Sequence, residues 1–238
     1  MYTKRKITLN HFANTNLKKD EAISHGDKIF YPLYLEIIYR RQHLQIKSAL
    51  NTYCTKELVV KTGEEPGMMK IEKDIVTRIV RFEEKYFGEK YTLSGLGKRY
   101  NKYRMPIYKF INNLQRSRIK EAVKAANSEY FNVLNFDNEN LSAERLFKAS
   151  LILVDKLANY LDVERFKQEL EVWREYFDLH PIKVIGEFKF PMFLDWLDDG
   201  HHEILTKHLN KEKGISRDFK TSYIDEINDY IIVATIGQ

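Results

Sequence analysis

Apolar and polar side chains alternate with a period of two over the first 60 residues, as they do in half-buried β-strands. Between residues 31 and 39, three apolar side chains fall on one face: Leu33, Leu35 and Ile37. Arg40 and Arg41 begin a polar turn, after which residues 44–50 continue the alternation, and residues 7–9 form a further short strand. We therefore predict a small antiparallel sheet of about three strands, whose apolar face another part of the chain must cover.

The apolar period lengthens to that of an amphipathic helix after residues 61–67, a linker marked by glycine and proline. The first helical stripe ends near Gly88 and consists of Ile71, Ile75, Ile79, Phe82 and Tyr86. A short helix over residues 93–100 follows Thr92 as its cap, and a longer helix covers residues 104–126. The side chains expected inward on the longer helix are Ile107, Phe110, Ile111, Leu114, Ile119 and Val123.

Two further helices are predicted in the second half of the chain. The stripe of the first is Leu146, Leu153 and Leu157, and that of the second is Phe166, Leu170, Trp173 and Phe177. Asp162 is the expected cap of the second helix, and Pro181 ends it. Beyond these we predict a short extended piece up to residue 190 and a helix over residues 192–209. The apolar run at residues 230–236 is either a strand or the end of a helix.

The order of these elements predicts an α+β protein that is mostly α. A small N-terminal antiparallel sheet is followed by a helical region and then by a second, acidic helical module. Three domains are expected: a small β-rich basic domain at residues 1–60, a basic helical domain at residues 67–127, and an acidic, mainly helical domain at residues 128–238.

Charge is distributed unevenly between these predicted domains. The 238 residues contain 39 Lys+Arg and 34 Asp+Glu, a net charge of only +5. Residues 1–127 carry a net +13, however, and residues 128–238 a net −8. Such asymmetry predicts a polyanion partner for the first half, and nucleic acid is the commonest one because Lys and Arg neutralise its phosphates. An unevenly charged solvated surface is the alternative interpretation.

Composition also bears on the compartment. The 43% of hydrophobic residues excludes a broadly disordered chain. The single cysteine, Cys54, excludes a disulfide framework and a cysteine-rich zinc site, and we expect it to be a small buried residue. The basic N-terminal residues are not followed by the apolar stretch that a secretory signal requires. The longest apolar run, residues 230–236, is far shorter than the roughly 20 residues that cross a bilayer. We expect a cytoplasmic protein with no membrane partner.

Residues 93–111 resemble a bacterial helix-turn-helix. In this interpretation Gly97 lies where the two helices cross, and Asn101 adopts the left-handed turn conformation. The apolar contact set is Leu96, Tyr100, Ile107 and Phe110. Lys102 departs from the pattern, which usually has an apolar residue there, and Pro106 is tolerated only in the first turn of the second helix.

This resemblance implies two kinds of DNA contact. The residues expected to face the major groove are Arg104, Met105, Tyr108 and Lys109, and those expected to contact phosphate are Lys98, Arg99 and Lys102. Interleaved tyrosines and basic residues in the same segment would also suit single-stranded nucleic acid. An ordinary helical corner with a basic solvated face is the alternative.

Residues 30–50, with an extended stretch, a basic turn and a second extended stretch, resemble the amino-terminal arm-binding domain of tyrosine recombinases (integrases) from Bacteroidetes-type mobile elements. In that family such a segment forms a three-stranded sheet that lies in the major groove. The resemblance implies DNA-facing roles for Arg40, Arg41, Lys47 and Lys28. It also implies that residues 68–123 correspond to the core-binding domain. A simple charged turn beside packed tyrosines is the alternative.

The sequence contains no complete catalytic motif. The integrase reaction needs a tyrosine nucleophile and a His-x-x-Arg element, and no histidine here is followed three residues later by arginine. There is no P-loop, and Gly95-Leu-Gly97 lacks the third glycine of a dinucleotide site. Residues 195–208 contain several metal-ligand residue types, but an aspartate near the positive end of a helix accounts for them. We expect no enzyme, no metal and no cofactor.

Three hypotheses follow. The leading one is a non-catalytic protein that binds double-stranded DNA and is associated with a mobile element, as an integrase-like or accessory factor. Its acidic half would mediate protein contacts or self-association. The alternative is a protein–protein interaction module, with no nucleic-acid role, that assembles through its basic and acidic halves. The third is an enzyme whose site no motif reveals.

Overall fold

The structure, a computed structural model, describes residues 5–16, 22–25, 28–56, 66–138, 140–211 and 216–237. The strands are β1 (Thr8–Ala13), β2 (Ile23–His25), β3 (Lys28–Tyr39), β4 (Gln42–Lys47), β5 (Tyr53–Cys54), β6 (Lys183–Ile185) and β7 (Phe188–Phe190). The helices are α1 (Gly67–Phe87), α2 (Leu96–Tyr103), α3 (Ile107–Ala125), α4 (Ala143–Leu153), α5 (Val163–Leu179), α6 (Phe193–Asp198), α7 (His201–Leu209) and α8 (Arg217–Thr235). An N-terminal antiparallel sheet followed by helices confirms the predicted α+β, mostly α fold. Most of the predicted linker, residues 61–65, lies outside the described residues.

Strand β3 is the centre of the N-terminal sheet because its 12 residues pair antiparallel with β1, β2, β4 and β5. Its apolar face is buried as the alternation predicts, with Leu33, Leu35 and Ile37 at 0–1% exposure. Two residues join β3 to β4, and both have positive φ: Arg40 at 52° and Arg41 at 63°. A two-residue turn of that kind matches the right-handed twist of the strands that it connects.

The chain forms two compact units that differ from the three predicted domains. Unit 1 comprises Met1–Arg104 and Val184–Lys189, and unit 2 comprises Met105–Lys183 and Phe190–Gln238. The first boundary lies inside the predicted domain at residues 67–127. The physical reason is that a small sheet cannot bury a core alone, so β1–β5 share one unit with α1 and α2.

Several predicted helices have different bounds in the structure. The predicted helix over residues 192–209 is two helices, α6 and α7, because Gly200 has a φ of 67° between them. Helix α3 begins only at Ile107, since Pro106 before it has an extended backbone. Lys156, with a φ of 59°, precedes a separate 3₁₀ turn, so Leu157 does not continue the stripe of α4. Residues 230–235 lie in the last part of α8.

Unit 2 has an aromatic core that includes both tryptophans of the chain. Trp173 is 4% exposed and Trp196 is fully buried. The indole N–H of Trp173 donates to the hydroxyl of Tyr223 at 2.8 Å, so its polar atom is paired inside the core. The expected cap of α5 is also confirmed, because Asp162 accepts a hydrogen bond from the backbone N–H of Arg165 at 3.0 Å. Among the described residues, no helix has both the length and the apolar character needed to cross a bilayer.

Candidate nucleic-acid interface

A buried carboxylate joins the sheet of unit 1 to its helices. Glu72, on α1, is fully buried and accepts four hydrogen bonds. The donors are His11 Nε2 at 2.8 Å, Ser48 Oγ at 2.5 Å, the Ala49 backbone N–H at 2.6 Å and the Tyr100 hydroxyl at 2.6 Å. Burial alone raises the pKa of Glu72, but these hydrogen bonds outweigh it, and the pKa lies below its ordinary value. The ionised carboxylate of Glu72, on α1, therefore links this helix through hydrogen bonds to β1, to the residues just after β4 and to α2.

A second buried carboxylate neutralises an arginine that the sequence assigned to DNA. Glu83, also on α1, is fully buried, and both of its oxygens accept from the guanidinium of Arg99. The Nε–Oε1 distance is 2.5 Å and the Nη2–Oε2 distance is 2.9 Å. The same guanidinium lies 5.2 Å from the ring centre of Phe87. The guanidinium of Arg99 is thus held against the buried Glu83 by a bidentate ion pair.

The arginine at the β3–β4 turn is also held by a carboxylate. Arg40 Nη2 donates to Glu84 Oε1 at 2.6 Å, and Arg81 Nη1 donates to the other oxygen at 3.1 Å. The side chains of Arg40 and Glu84 are each less than one-fifth exposed. Arg40 therefore faces α1, whereas its turn neighbour Arg41 is exposed.

The charge on the surface of unit 1 is predominantly positive because its described residues include eighteen basic and only seven acidic side chains. Among the described residues of this unit, twelve basic side chains are exposed, against three acidic ones. The acidic ones are Asp74, Glu89 and Glu187. The basic ones are Arg5, Lys6, Lys28, Arg41, Lys47, Lys56, Lys70, Lys85, Lys90, Lys98, Lys102 and Lys189. We call these twelve residues the basic surface of unit 1.

The outer side of α2 carries two residues of this basic surface. Lys98 and Lys102 lie one helical turn apart and are exposed, with Asn101 exposed beside them. The opposite side of the helix is buried through Leu96 and Tyr100. A duplex or another polyanion that approached α2 from solvent would therefore meet two ammonium groups on one helical face.

Two details of the predicted helix-turn-helix are corrected. A side chain at Gly97 would make ordinary contacts with Ile46 at 3.6 Å and Leu44 at 3.9 Å, so this position faces β4 rather than a second helix and has room for a methyl group. Asn101 does not adopt the left-handed conformation, because α2 continues past it to Tyr103 and its backbone is helical. The asparagines with positive φ include Asn51 and Asn127. Of the predicted apolar set, Leu96 and Tyr100 are buried in unit 1, whereas Ile107 and Phe110 belong to the core of unit 2.

Three more predicted site residues lie on either side of the point in the sequence where unit 1 ends and unit 2 begins. Arg104, in unit 1, donates from Nη1 to Asn101 at 3.1 Å, and its guanidinium lies over the rings of Tyr100 and Phe188 at 5.0 and 5.3 Å. Tyr108 and Lys109 belong to unit 2, where Tyr108 is half-buried and Lys109 is exposed.

The solvent face of the sheet has little positive charge. The strand register places Asn10, Glu36 and Gln45 side by side across β1, β3 and β4. Glu36 accepts from Asn10 at 3.1 Å and pairs with His43 at 2.7 Å, and these two partners lower the pKa of Glu36. The exposed lysines on this face, within the described parts of β1, β3 and β4, are Lys28 at the start of β3 and Lys47 at the end of β4. A carboxylate at the centre of this face makes it less favourable for phosphate than the outer side of α2.

The metal-ligand residue types near the end of the chain have separate partners. Asp195 Oδ2 accepts from the Met192 backbone N–H at 2.7 Å at the start of α6. His201 Nδ1 lies 3.0 Å from the Tyr176 hydroxyl, and His208 Nε2 lies 2.9 Å from Glu175. Within the parts of the chain that the structure describes, no three His, Cys, Asp or Glu side chains are arranged to hold a metal ion.

Sequence reasoning missed the two buried carboxylates of α1. Glu72, Val76, Ile79 and Glu83 follow one another at steps of four, three and four, so both glutamates fall on the buried stripe of α1. That spacing is visible in the sequence, although the residue type suggests a solvent-exposed position. Lys85 and Lys90, on either side of the helix end at Gly88, were also missed.

No protein-family model, curated protein or solved structure matches this chain. The resemblance to integrase arm-binding and core-binding regions therefore stays a prediction.

Proposed function

We propose that this chain is a non-catalytic protein that binds double-stranded DNA through the basic surface of unit 1. The observation that carries the proposal is the excess of exposed basic over exposed acidic side chains, twelve against three among the described residues of the unit. Phosphate neutralisation by such side chains, with release of counterions, supplies most non-specific affinity for DNA.

Lys98 and Lys102 are the phosphate contacts to which we assign the largest effect. Both are exposed on one side of α2, whereas Arg40 and Arg99 are occupied by Glu84 and Glu83. A lysine ammonium on a flexible stem adapts readily to a phosphate, so it suits contacts that do not depend on base sequence.

The integrase resemblance supports a duplex as the nucleic acid and a mobile element as the genetic context. Binding to DNA is compatible with a cytoplasmic protein. Unit 2 remains available for protein contacts in this proposal. Its exposed charges are nearly balanced, with eleven basic and fourteen acidic side chains among its described residues. Self-assembly of basic on acidic surfaces is therefore less favoured by charge than DNA binding.

The test is a titration of a fluorescently labelled random-sequence duplex with the full chain, followed by anisotropy over a series of salt concentrations. The logarithm of the binding constant should fall with the logarithm of salt concentration, with a slope of about −0.9 for each phosphate neutralised. The double variant Lys98→Ala with Lys102→Ala should weaken binding and reduce the magnitude of this slope by about 2.

A matched control comes from unit 2. Lys207, in the last turn of α7, and Lys211, two residues beyond the end of that helix, have the same spacing in sequence and are exposed. The double variant Lys207→Ala with Lys211→Ala should therefore bind as the unchanged chain does. Absence of duplex binding at low salt contradicts the proposal. If light scattering then shows assemblies that dissolve at high salt, the self-association hypothesis replaces it.

A further inference from the structure

A groove lies within unit 2, between α3, α5 and the start of α4. Its volume is about 470 Å³, in the range of pockets that hold small molecules. Helix α3 contributes Tyr108 and Gln115 to the lining, and α5 contributes Trp173 and Phe177. The residues from each helix are spaced by three, four or seven, so each helix turns one continuous face toward the groove.

One buried polar group in this lining has no partner in the protein. Gln115 is only 4% exposed, and its Nε2 is buried without a hydrogen-bond acceptor among the described residues. The neighbouring Asn112, by contrast, accepts from the Ala143 backbone N–H at 2.7 Å and so helps to hold the start of α4. A buried amide donor without an acceptor is destabilising, and a ligand acceptor in the groove would satisfy it.

Aromatic side chains define the shape of a suitable ligand. Trp173 and Phe177 have ring centres 6.2 Å apart and are tilted by 38°. The indole N–H of Trp173 is already paired with Tyr223, and Trp173 is only 4% exposed, so it forms part of the groove wall and offers no donor. The accessible ring is that of the half-buried Phe177. Stacking against such rings favours a flat, aromatic ligand.

The charged side chains of the lining favour a neutral ligand over an anionic one. Glu144 and Asp178 are acidic, and the one arginine, Arg174, is already paired with Glu171 and lies 3.7 Å from Glu144. The hydrogen bond from Lys148 lowers the pKa of Glu144, which keeps that carboxylate ionised at neutral pH. Carboxylates at the groove repel phosphate and accept hydrogen bonds from amino groups.

We infer that this groove binds a neutral planar heteroaromatic molecule of nucleobase size, which stacks on the half-buried ring of Phe177, next to the buried Trp173, and accepts a hydrogen bond from the side-chain amide of Gln115. Adenine and cytosine rings carry both a ring acceptor and an exocyclic amino group, which matches the Gln115 donor and the nearby carboxylates. The inference concerns unit 2 and does not rest on DNA binding by unit 1.

The experiment is a titration of the ¹⁵N-labelled full chain with adenosine and with cytidine, monitored by NMR. At least one of the two should shift the Trp173 indole and Gln115 side-chain resonances in a saturable way. The corresponding 5′-monophosphate should bind several-fold more weakly because of the carboxylates. Gln115→Leu should weaken nucleoside binding about tenfold, while leaving the melting temperature unchanged or higher, because it removes an unpaired buried donor.

Gln168→Leu is the matched control, since Gln168 is a half-buried glutamine of the same unit that does not line the groove. It should bind the nucleoside as the unchanged chain does. The inference is overturned if neither nucleoside gives saturable shifts at these two side chains, or if Gln115→Leu binds equally well. It is also overturned if that variant melts several degrees lower, because Gln115 would then have a structural partner, or if the monophosphates bind as tightly as the nucleosides.

Discussion

Unit 1 and unit 2 bury different kinds of charge. In unit 1 the fully buried charged residues, among those described, are two carboxylates, Glu72 and Glu83. The described part of unit 2 buries side chains of both charges: the basic Arg116 and Lys220, and the acidic Glu169 and Asp195. Burial does not create the basic surface of unit 1, because six basic and four acidic side chains among its described residues are not exposed. The basic surface therefore reflects the excess of Lys and Arg in the sequence of unit 1, and the fold decides which of these side chains are exposed and which are paired with carboxylates.

The largest expected effect concerns the interior pair of unit 1. Arg99→Ala leaves the fully buried Glu83 without its main partner and should lower the free energy of unfolding by about 3–5 kcal/mol. Urea unfolding followed by circular dichroism measures this change. The neighbouring Lys98→Ala is the control, with an expected effect within about 0.5 kcal/mol because Lys98 is exposed.

A double variant sharpens this prediction. Glu83→Leu combined with Arg99→Leu removes both charges and should recover much of the lost stability, since a buried pair exchanged for apolar groups is often neutral. If Arg99→Ala proves as harmless as Lys98→Ala, Arg99 is not committed to the interior. It then returns to the set of predicted phosphate contacts.

Acid should weaken unit 1 through Glu72. Its pKa lies below the ordinary value of 4.5, so its contribution to stability is fully present above that pH and is lost as the pH falls through the lowered pKa. The loss is about 1.4 kcal/mol for each unit by which the pKa is lowered. Urea midpoints at pH 7 and at pH 3 should show that the advantage of the unchanged chain over Glu72→Gln narrows in acid. A constant difference would mean that the carboxylate is not held as an ion.

The surface pair should affect binding and leave stability unchanged. The Lys98→Ala with Lys102→Ala variant is expected to weaken duplex binding about tenfold at low salt, because two phosphate contacts are lost. Its urea midpoint should match that of the unchanged chain within error. A variant that binds normally would place the DNA contacts elsewhere on unit 1.

The smallest effect is expected at Gly97. Gly97→Ala should stabilise unit 1 slightly, by about 0.5–1 kcal/mol, because alanine favours a helix and its methyl group would make an ordinary contact with Ile46 at 3.6 Å. Thermal melting is sufficient to detect the change. A marked loss of stability would instead indicate that another element packs closely on this glycine, as the predicted helix crossing required.

Local patterns in the sequence predicted much of the secondary structure. The alternation of Leu33, Leu35 and Ile37 gave the buried face of β3, and Asp162 was correctly predicted to cap α5. The buried glutamates Glu72 and Glu83 were not predicted, because their cost of burial is offset by partners distant in sequence, such as His11 for Glu72.

The division into units was harder still to predict. A pattern around Arg104 shows where helices begin and end, but it does not show which core each helix joins. The same limit applies to Val184–Lys189, a short segment that belongs with unit 1 although it lies far along the chain. The basic surface could therefore be predicted as a charge excess in the first half, while the residues that form it required the fold.

The most direct test of the account is to map which lysines a duplex protects in the unmodified full chain. The chain is treated briefly with an amine-acylating reagent, with and without a random-sequence duplex, and the modification of each lysine is measured by mass spectrometry. We predict strong protection of exposed unit 1 lysines, Lys98 and Lys102 above all, and no change at exposed unit 2 lysines such as Lys124 and Lys207. Protection confined to unit 2, or equal in both units, would contradict the proposal that unit 1 carries the DNA-binding surface.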